Sequence, residues 1–284
     1  MVQYISQNGE LLPLEKSVIA LGNRAFRYGD GFFETIRVRN GIPLWLEYHL
    51  SRIKQSALVL GIDLPLSLTS ESLFEHLQDL CKLNQLNTGA RIRISVFRGG
   101  SGFYLPDSDL GEFVIEASPL PHNDYVSNHY GLQAGFFRDH TKHPSPMAAI
   151  KTSSALIYVL AALYGKKKGW DDAIILNSEG KIAEATSSNI FMVSKGKIYT
   201  PSLDQGCVDG VMRRVLLDVA KENKMVIRDC VISASDLEKA DEVFITNTIK
   251  GIQWIKGIDD KRYYHKVSTL LLEKINNKQS EPDK

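Results

Sequence analysis

The sequence lacks the cysteine pattern of a disulfide-bonded or zinc-binding protein. Its 284 residues contain only three cysteines, Cys81, Cys207 and Cys230, and no two of them form a Cys-x-x-Cys pair. An odd number of widely spaced cysteines argues against a disulfide framework and against a zinc site, and it favours a reducing compartment. We therefore expect three free thiols and no bound metal.

An excess of one charge and a long apolar run are also missing. Lys and Arg number 34 against 33 Asp and Glu, so the formal net charge of +1 gives no reason to expect a nucleic-acid partner. The first ten residues have neither the basic nor the apolar region of a secretory signal. The longest apolar run, residues 155–164, is too short to span a bilayer. We expect a cytoplasmic protein without a membrane partner.

Helix and strand patterns alternate along the whole chain. Asn-Gly pairs at positions 8–9 and 40–41 interrupt alternating apolar residues, which predicts two β-hairpins. Apolar residues recur at helical spacing over 46–60, and Gly61 is placed to end that helix. These patterns predict a fold of the α/β (α+β) class.

A stretch rich in Pro and Asn, residues 119–128, separates the strand patterns of the two halves and is typical of an interdomain linker. We therefore predict two domains. The predicted boundaries are a small N-terminal domain over 1–118, a linker over 119–129, a larger domain over 130–276 and a flexible tail over 277–284.

Lys151 lies at the start of an otherwise apolar segment, residues 145–160. Lysine is almost never fully buried without a partner, and desolvation disfavours its charged form, so this residue is a candidate amine nucleophile. A lysine that begins a helix and extends into solvent is the alternative. The residue by itself leaves both interpretations open.

Two further segments could bind an anion. The period of two over residues 90–98 places Arg91 and Arg93 on one face of a strand, which is normally a solvated face unless it lines a cavity. Gly210 precedes a predicted helix whose first N–H groups suit a phosphate, although an ordinary junction capped by Asp209 is the alternative. The sequence around Gly210 matches neither the dinucleotide fingerprint nor the Walker loop.

Six segments gain significance because they occur together and in one order. They are residues 24–37 (RAFRYGDGFFETIR), 49–52 (HLSR), 151 (K), 182–191 (IAEATSSNIF), 200–213 (TPSLDQGCVDGVMR) and 241–248 (DEVFITNT). In this combination the chain resembles the fold-type IV, class IV aminotransferases, which are pyridoxal 5'-phosphate (PLP) enzymes and include branched-chain and D-amino acid aminotransferases and aminodeoxychorismate lyase. The resemblance implies PLP as cofactor, a β-barrel-like core in the larger domain, and a homodimer.

The resemblance also assigns roles to single residues. Lys151 is the catalytic residue, which forms a Schiff base with the cofactor aldehyde and moves the substrate proton. Glu184 keeps the pyridine nitrogen protonated, and as a buried charge it needs a cationic partner; without the resemblance it would be read as a surface glutamate. The remaining residues assigned to the cofactor phosphate or ring are Arg52, Val208, Val211, Met212 and Thr248.

The substrate contacts implied by the resemblance are Arg27, Tyr28, Arg91 and Arg93, and which arginine holds the substrate carboxylate stays open. Leu156 stands where branched-chain enzymes usually carry a tyrosine, and residues 91–94 (RIRI) replace their Tyr-x-Arg-Pro signature. The segment 203–213 is closer to aminodeoxychorismate lyases.

Three functions follow from these patterns. The first is transfer of an amino group between an amino acid and a 2-oxo acid. The second is a 4-amino-4-deoxychorismate lyase, which releases pyruvate and p-aminobenzoate for folate synthesis. The third is a catalytically silent homologue that binds ligand. Substrate handedness and side-chain preference are not predicted.

Overall fold

The chain folds into two compact units. A computed structural model describes residues 3–68 and 70–278, without the side chains of residues 70 and 71. The first unit runs as far as Asp124 and takes in Ile150–Ser154, and the second comprises Tyr125–Ala149 and the chain from Ala155 onward. The segment with Lys151 was predicted to lie in the larger domain, whereas its backbone is part of the first unit. Residues 279–284 of the predicted tail lie outside the described residues.

The first unit is built on an antiparallel sheet of six strands in the order β2-β1-β6-β5-β3-β4. Its strands are β1 (Tyr4–Gln7), β2 (Glu10–Pro13), β3 (Gly31–Arg39), β4 (Ile42–Pro43), β5 (Gly89–Arg98) and β6 (Gly111–Leu120). Its helices are α1 (Arg24–Tyr28), α2 (Leu46–Leu60) and α3 (Ser70–Leu83).

Local sequence explains the turns of this unit. Asn8 and Asn40 have φ values of 52° and 49°, and the glycine that follows each also has a positive φ. Two consecutive positive φ values are what a two-residue hairpin turn requires, so both predicted hairpins are confirmed. Helix α2 ends at Gly61, whose φ of 62° is left-handed and whose N–H donates to Ala57 O.

The two faces of strands β3 and β5 differ in character. Phe32, Ile36, Ile92 and Ile94 point to one face and form a core with apolar residues of α2 and α3. The opposite face carries polar and aromatic side chains, because alternate residues of a strand point to opposite sides. On that face Arg93 lies opposite Thr35 and Arg91 lies opposite Arg37.

The second unit is built on a curled, mixed sheet in the order β12-β11-β10-β13-β14-β7-β8-β9, with β15 paired to β14. Its strands are β7 (Leu132–Lys142), β8 (Asp172–Asn177), β9 (Ile182–Ala185), β10 (Asn189–Ser194), β11 (Lys197–Pro201), β12 (Ile227–Cys230), β13 (Glu242–Asn247), β14 (Gly251–Ile258) and β15 (Lys261–Arg262). Its helices are α4 (Leu156–Lys168), α5 (Val211–Glu222), α6 (Ala234–Lys239) and α7 (Lys266–Lys278).

The sheet curls far enough for β9 to lie against β10, and a tight turn closed by the bond from Ala185 N–H to Ser188 O joins these two strands. Ile174 of β8, Ile190 of β10 and Ile245 of β13 belong to one core inside the curl. The opposite faces of β7 and β8 pack on α4, so residues 134–137 of β7 (AGFF) and 173–176 of β8 (AIIL) are buried on both sides and form continuous apolar runs. The predicted α/β fold with a β-barrel-like core is confirmed. Within the described ranges no helix is both long and apolar enough to cross a bilayer.

Candidate active site

The backbone around Lys151 is an extended strand partner of β3. Phe33 N–H donates to Lys151 O at 3.0 Å, and Ser153 N–H donates to Gly31 O at 2.9 Å. Thr152 forms an isolated antiparallel bridge with Phe32 between these two bonds. The position of Lys151 is therefore set by strand pairing inside the first unit, and α4 begins only at Leu156.

The side chain of Lys151 shares an aromatic ring with one of the predicted substrate arginines. Its Nζ lies 4.4 Å from the centroid of the Phe33 ring, and Cζ of Arg93 lies 3.8 Å from the same centroid. Arg93 Nε donates to Ser95 Oγ at 3.2 Å. Cations are attracted to aromatic faces, so Phe33 orients both groups. The fold thus brings Lys151 and Arg93 together around one ring.

Arg91 lies two residues before Arg93 on the same face of β5. Burial lowers the pKa of Arg93, the carboxylate of Glu116 opposes this shift, and the positive charge of Arg91 adds to it. The two guanidinium groups therefore repel one another in a half-buried position. An anion bound at this face would relieve that repulsion.

The other two predicted substrate residues lie on the short helix α1. Arg27 is exposed, and its Nε donates to Leu21 O at 3.2 Å. The Tyr28 ring packs against the Tyr104 ring with centroids 5.6 Å apart. These contacts place both residues in a surface cluster of the first unit, and their role in substrate binding stays a prediction.

Arg52 is part of a buried polar network in the first unit. Its Nε and Nη2 donate to Glu34 Oε1 and Oε2 at 2.6 and 2.7 Å, and His49 Nδ1 lies 2.6 Å from Glu34 Oε2. Burial by itself would raise the pKa of Glu34, but the nearby Arg52 and His49 lower it to about 2. Burial lowers the pKa of His49 despite the opposing carboxylate, so His49 is neutral at pH 7 and donates from Nδ1. The sequence motifs contained Glu34 and His49 but assigned them no role.

In the second unit, Glu184 is the centre of a second buried network. Its Oε1 accepts hydrogen bonds from Tyr158 Oη at 2.7 Å and from Lys142 Nζ, and its Oε2 accepts one from the backbone N–H of Val208 at 3.0 Å. Lys142 Nζ also donates to Ala148 O at 3.1 Å. Burial and the Glu184 carboxylate raise the pKa of Tyr158, which keeps its hydroxyl protonated as a donor. Lys142 is the cationic partner that a buried Glu184 requires, and the two pair as an ion pair.

Neither Lys142 nor Tyr158 belongs to the residues predicted from the sequence. Lys142 ends β7 and Tyr158 lies in α4, so they are 42 and 26 residues from Glu184 along the chain. Only the expectation of a cationic partner pointed to such a contact. Val208 was predicted to pack on the cofactor ring, and its backbone is brought directly to Glu184.

The first turn of α5 offers backbone N–H groups near this network. Its N-cap is Gly210, which has no side chain to occupy them, and the Asp209 carboxylate binds Arg214 at 3.1 Å. A Cβ placed on Gly210 would overlap the side-chain oxygen of Asn189, whose Nδ2 donates to Val208 O at 2.8 Å. Only glycine therefore fits at this junction. Because Gly210 has no side chain, it does not cover the first N–H groups of α5, which form the positive end of the helix dipole.

Helix α5 begins with Val211 and Met212, whose apolar side chains are buried. An anion at this helix end could therefore bind their backbone N–H groups and not their side chains. Thr248 follows β13, is buried, and accepts a hydrogen bond at its carbonyl from Tyr125 Oη at 2.9 Å. The second unit can thus supply a buried carboxylate for an N–H donor and a helix N-terminus for an anion.

Comparison with known proteins shows what these features resemble. The family described as amino-transferase class IV matches residues 31–258. A protein of Methanocaldococcus jannaschii, provisionally named a branched-chain-amino-acid aminotransferase, is 30% identical over 95% of this chain and 93% of its own length. The aminodeoxychorismate lyase of Bacillus subtilis is 28% identical over 90% of this chain and 87% of its own length.

Solved structures share the fold. The branched-chain aminotransferase of Thermoproteus uzoniensis, crystallised with norvaline, is 25% identical with a TM-score of 0.88 over 96% of this chain and 93% of its own. Other solved proteins of this fold carry pyridoxamine 5'-phosphate or are in a PLP form. The resemblance deduced from the six motifs is confirmed.

Proposed function

This chain belongs to the class IV aminotransferase family, and from that premise we propose that it transfers an amino group between an amino acid and a 2-oxo acid with PLP as its cofactor. The observation that carries the proposal is the buried Glu184 carboxylate, held by Lys142 and Tyr158. A carboxylate fixed and charged in this way suits a heterocyclic N–H donor, which is what a pyridinium ring offers.

The residues present fit PLP on two further counts. The glycine at 210 starts a helix where no side chain could be accommodated, and the first N–H groups of that helix suit a phosphate. Lys151 supplies an amine beside an aromatic ring and an arginine. We assign Glu184 to the pyridine nitrogen and Val208 to the ring face. The residues assigned to the phosphate are Arg52, Val211, Met212 and Thr248.

When bound, PLP supplies an aldehyde that binds amines and a ring that withdraws electrons from the substrate's α carbon. Lys151 would hold that aldehyde until the substrate's amino group displaces it, and its freed amine would then accept the proton from the substrate's α carbon and donate it to the carbon of the former aldehyde. Lys142 and Tyr158 hold the Glu184 carboxylate in place, where it would accept the N–H of the pyridine ring. Arg93, held over Phe33 beside Lys151, is proposed to orient the substrate carboxylate.

A lyase function is the second candidate, and one observation favours it. Arg91 and Arg93 place two cations on one half-buried face, which suits a substrate with more than one carboxylate, such as 4-amino-4-deoxychorismate. The same Lys151 would remove the substrate proton, after which pyruvate leaves and p-aminobenzoate remains. A silent homologue is disfavoured because Lys151, Glu184 and Arg52 are all present.

We also propose that the chain acts as a homodimer, as the family resemblance implies. Two segments of the first unit meet where Arg24 Nη1 donates to Phe103 O at 2.6 Å. On these two segments, residues 18–26 and 103–105, six large apolar side chains are 73–91% exposed. They are Val18, Leu21, Phe26, Phe103, Tyr104 and Leu105. An exposed apolar cluster of this kind suits a second copy of the chain.

The three free thiols agree with a cytoplasmic location.

The experiment uses the purified chain and a Lys151→Met variant, which keeps the length of the side chain without its amine. We expect the wild type to be yellow and to be bleached by borohydride, with the cofactor fixed on Lys151, and the variant not to be labelled. The wild type is then incubated with amino acids plus 2-oxoglutarate or pyruvate, and separately with aminodeoxychorismate. Amino transfer supports the first function, and rapid p-aminobenzoate release without transfer would replace it by the second. A colourless chain that binds no PLP would refute both.

A further inference from the structure

The network of Glu34, His49 and Arg52 lies inside the first unit, between β3 and α2. The side chains of Arg52, Glu34 and His49 are 6%, 1% and 0% exposed. Glu34 points to the same face of β3 as Phe32 and Ile36, which belong to the apolar core. An ionised carboxylate and a guanidinium are thus held within a hydrophobic environment.

Stability alone does not account for these charges. A buried ion pair loses hydration on folding, and apolar residues of similar volume commonly stabilise a core as well or better. What the pair does provide is direction, because two parallel N–H to carboxylate bonds fix the plane of a guanidinium. The bonds from Nε and Nη2 of Arg52 to the two oxygens of Glu34 have this geometry.

His49 adds a second constraint on the carboxylate. Its Nδ1 donates to Glu34 Oε2, the oxygen that also binds Arg52 Nη2. Its Nε2 has no hydrogen-bond partner among the described residues. The imidazole therefore contributes to the network only through Glu34, in a position where it holds the carboxylate against rotation.

We propose that Glu34 and His49 are positioning residues that orient Arg52 toward the phosphate of the cofactor. The inference rests on the proposed function, in which Arg52 contacts that phosphate. Glu34 does not touch the ligand. It holds the guanidinium in one direction before the ligand arrives, so that less freedom is lost on binding. The opposing possibility is that Glu34 only neutralises Arg52, in which case its negative charge weakens phosphate binding.

The test compares two ligands that differ only in the phosphate, pyridoxamine 5'-phosphate and pyridoxamine, with affinities measured by titration calorimetry on the folded protein. Neither has an aldehyde, so Lys151 chemistry does not enter. We expect Glu34→Gln to weaken binding of the phosphorylated ligand about tenfold and to leave pyridoxamine unchanged. An unchanged or increased preference for the phosphate would overturn the proposal.

A matched control is Glu242→Gln. Glu242 is also a buried carboxylate, but it accepts hydrogen bonds from the backbone of Val267 and Ser268 in the second unit. We expect Glu242→Gln to lower the stability of the protein and to leave the ratio of the two ligand affinities unchanged. If the ratio falls equally in both variants, Glu34 has only a general structural role and the proposal is wrong.

Glu34→Gln leaves the Arg52 charge buried without its partner and can prevent folding. His49→Leu and His49→Gln therefore form a second pair, because leucine removes the donor and glutamine keeps one. We expect a several-fold loss of phosphate preference in the first and recovery in the second. Equal ratios in both would contradict the proposal. A wild type that binds neither ligand would instead refute the proposed function itself.

Discussion

Replacing Lys142, the lysine that neutralises Glu184, should lower the free energy of unfolding more than replacing a surface lysine does. The side chains of Lys142 and Glu184 are 11% and 4% exposed, so the ion pair is shielded from water. Lys142→Met keeps the apolar stem and removes the charge. Among the described residues, Tyr158 and the Val208 N–H then remain as donors to the buried carboxylate. Breaking one partner of a buried pair destabilises a protein by about 3 kcal/mol or more.

The same reasoning predicts recovery in the double variant. Adding Glu184→Gln to Lys142→Met removes both charges, and a neutral pair of similar volume has no uncompensated charge to bury. We expect the single variant to melt about 8 °C lower than the wild type, and the double variant to regain most of that loss. Because Glu184→Gln alone also leaves one buried charge unpaired, the coupling energy in this double-mutant cycle should exceed about 2 kcal/mol.

The assay is thermal and urea unfolding of the cofactor-free chain, so that ligand binding does not contribute. Lys167→Met is the matched control, because Lys167 is exposed on α4 and the same change there should shift the melting temperature little. A single variant as stable as the wild type would show that Glu184 does not depend on Lys142. A double variant no more stable than the single one would show that lost packing, and not charge, is responsible.

Two other predictions concern the phosphate-binding region and acid stability. Gly210→Ala should weaken binding of pyridoxamine 5'-phosphate about tenfold in titration calorimetry, because the new Cβ would overlap Asn189. Gly22→Ala is the control and should bind the ligand normally, because a Cβ there meets no atom within 4 Å. Acid should unfold the first unit through Glu34, whose pKa falls from 4.5 to about 2 on folding, and through His49, whose pKa also falls. Both groups bind protons more readily when unfolded, so stability should fall as the pH drops below about 6.5 and further between 4.5 and 2. Urea titrations from pH 7 to pH 3 measure this, and a flat profile would contradict it.

Much of the architecture could be predicted because its causes are local. Asn8 and Asn40 precede glycines and adopt the positive φ that tight hairpins need. The apolar spacing of α2 and the left-handed Gly61 at its end are properties of a few adjacent residues. For the same reason the order of the six motifs identified the family without reference to any contact.

The partners within the site could not be predicted in this way. The sequence required a cation for Glu184 but could not choose among 34 lysines and arginines. Lys142 is selected because the curled sheet and α4 bring β7, β9 and Tyr158 together. The bidentate pairing of Glu34 with Arg52 likewise depends on how α2 packs on β3.

What the sequence determined by itself is the set of elements, their turns and the family, because backbone preference and apolar periodicity act over a few residues. What only the tertiary structure decided is which charges meet. Lys151 is held by strand pairing with β3 of the first unit, although the chain before residue 150 and after residue 154 belongs to the second unit. Hydrogen bonds between strands depend on proximity in space and not on distance along the chain.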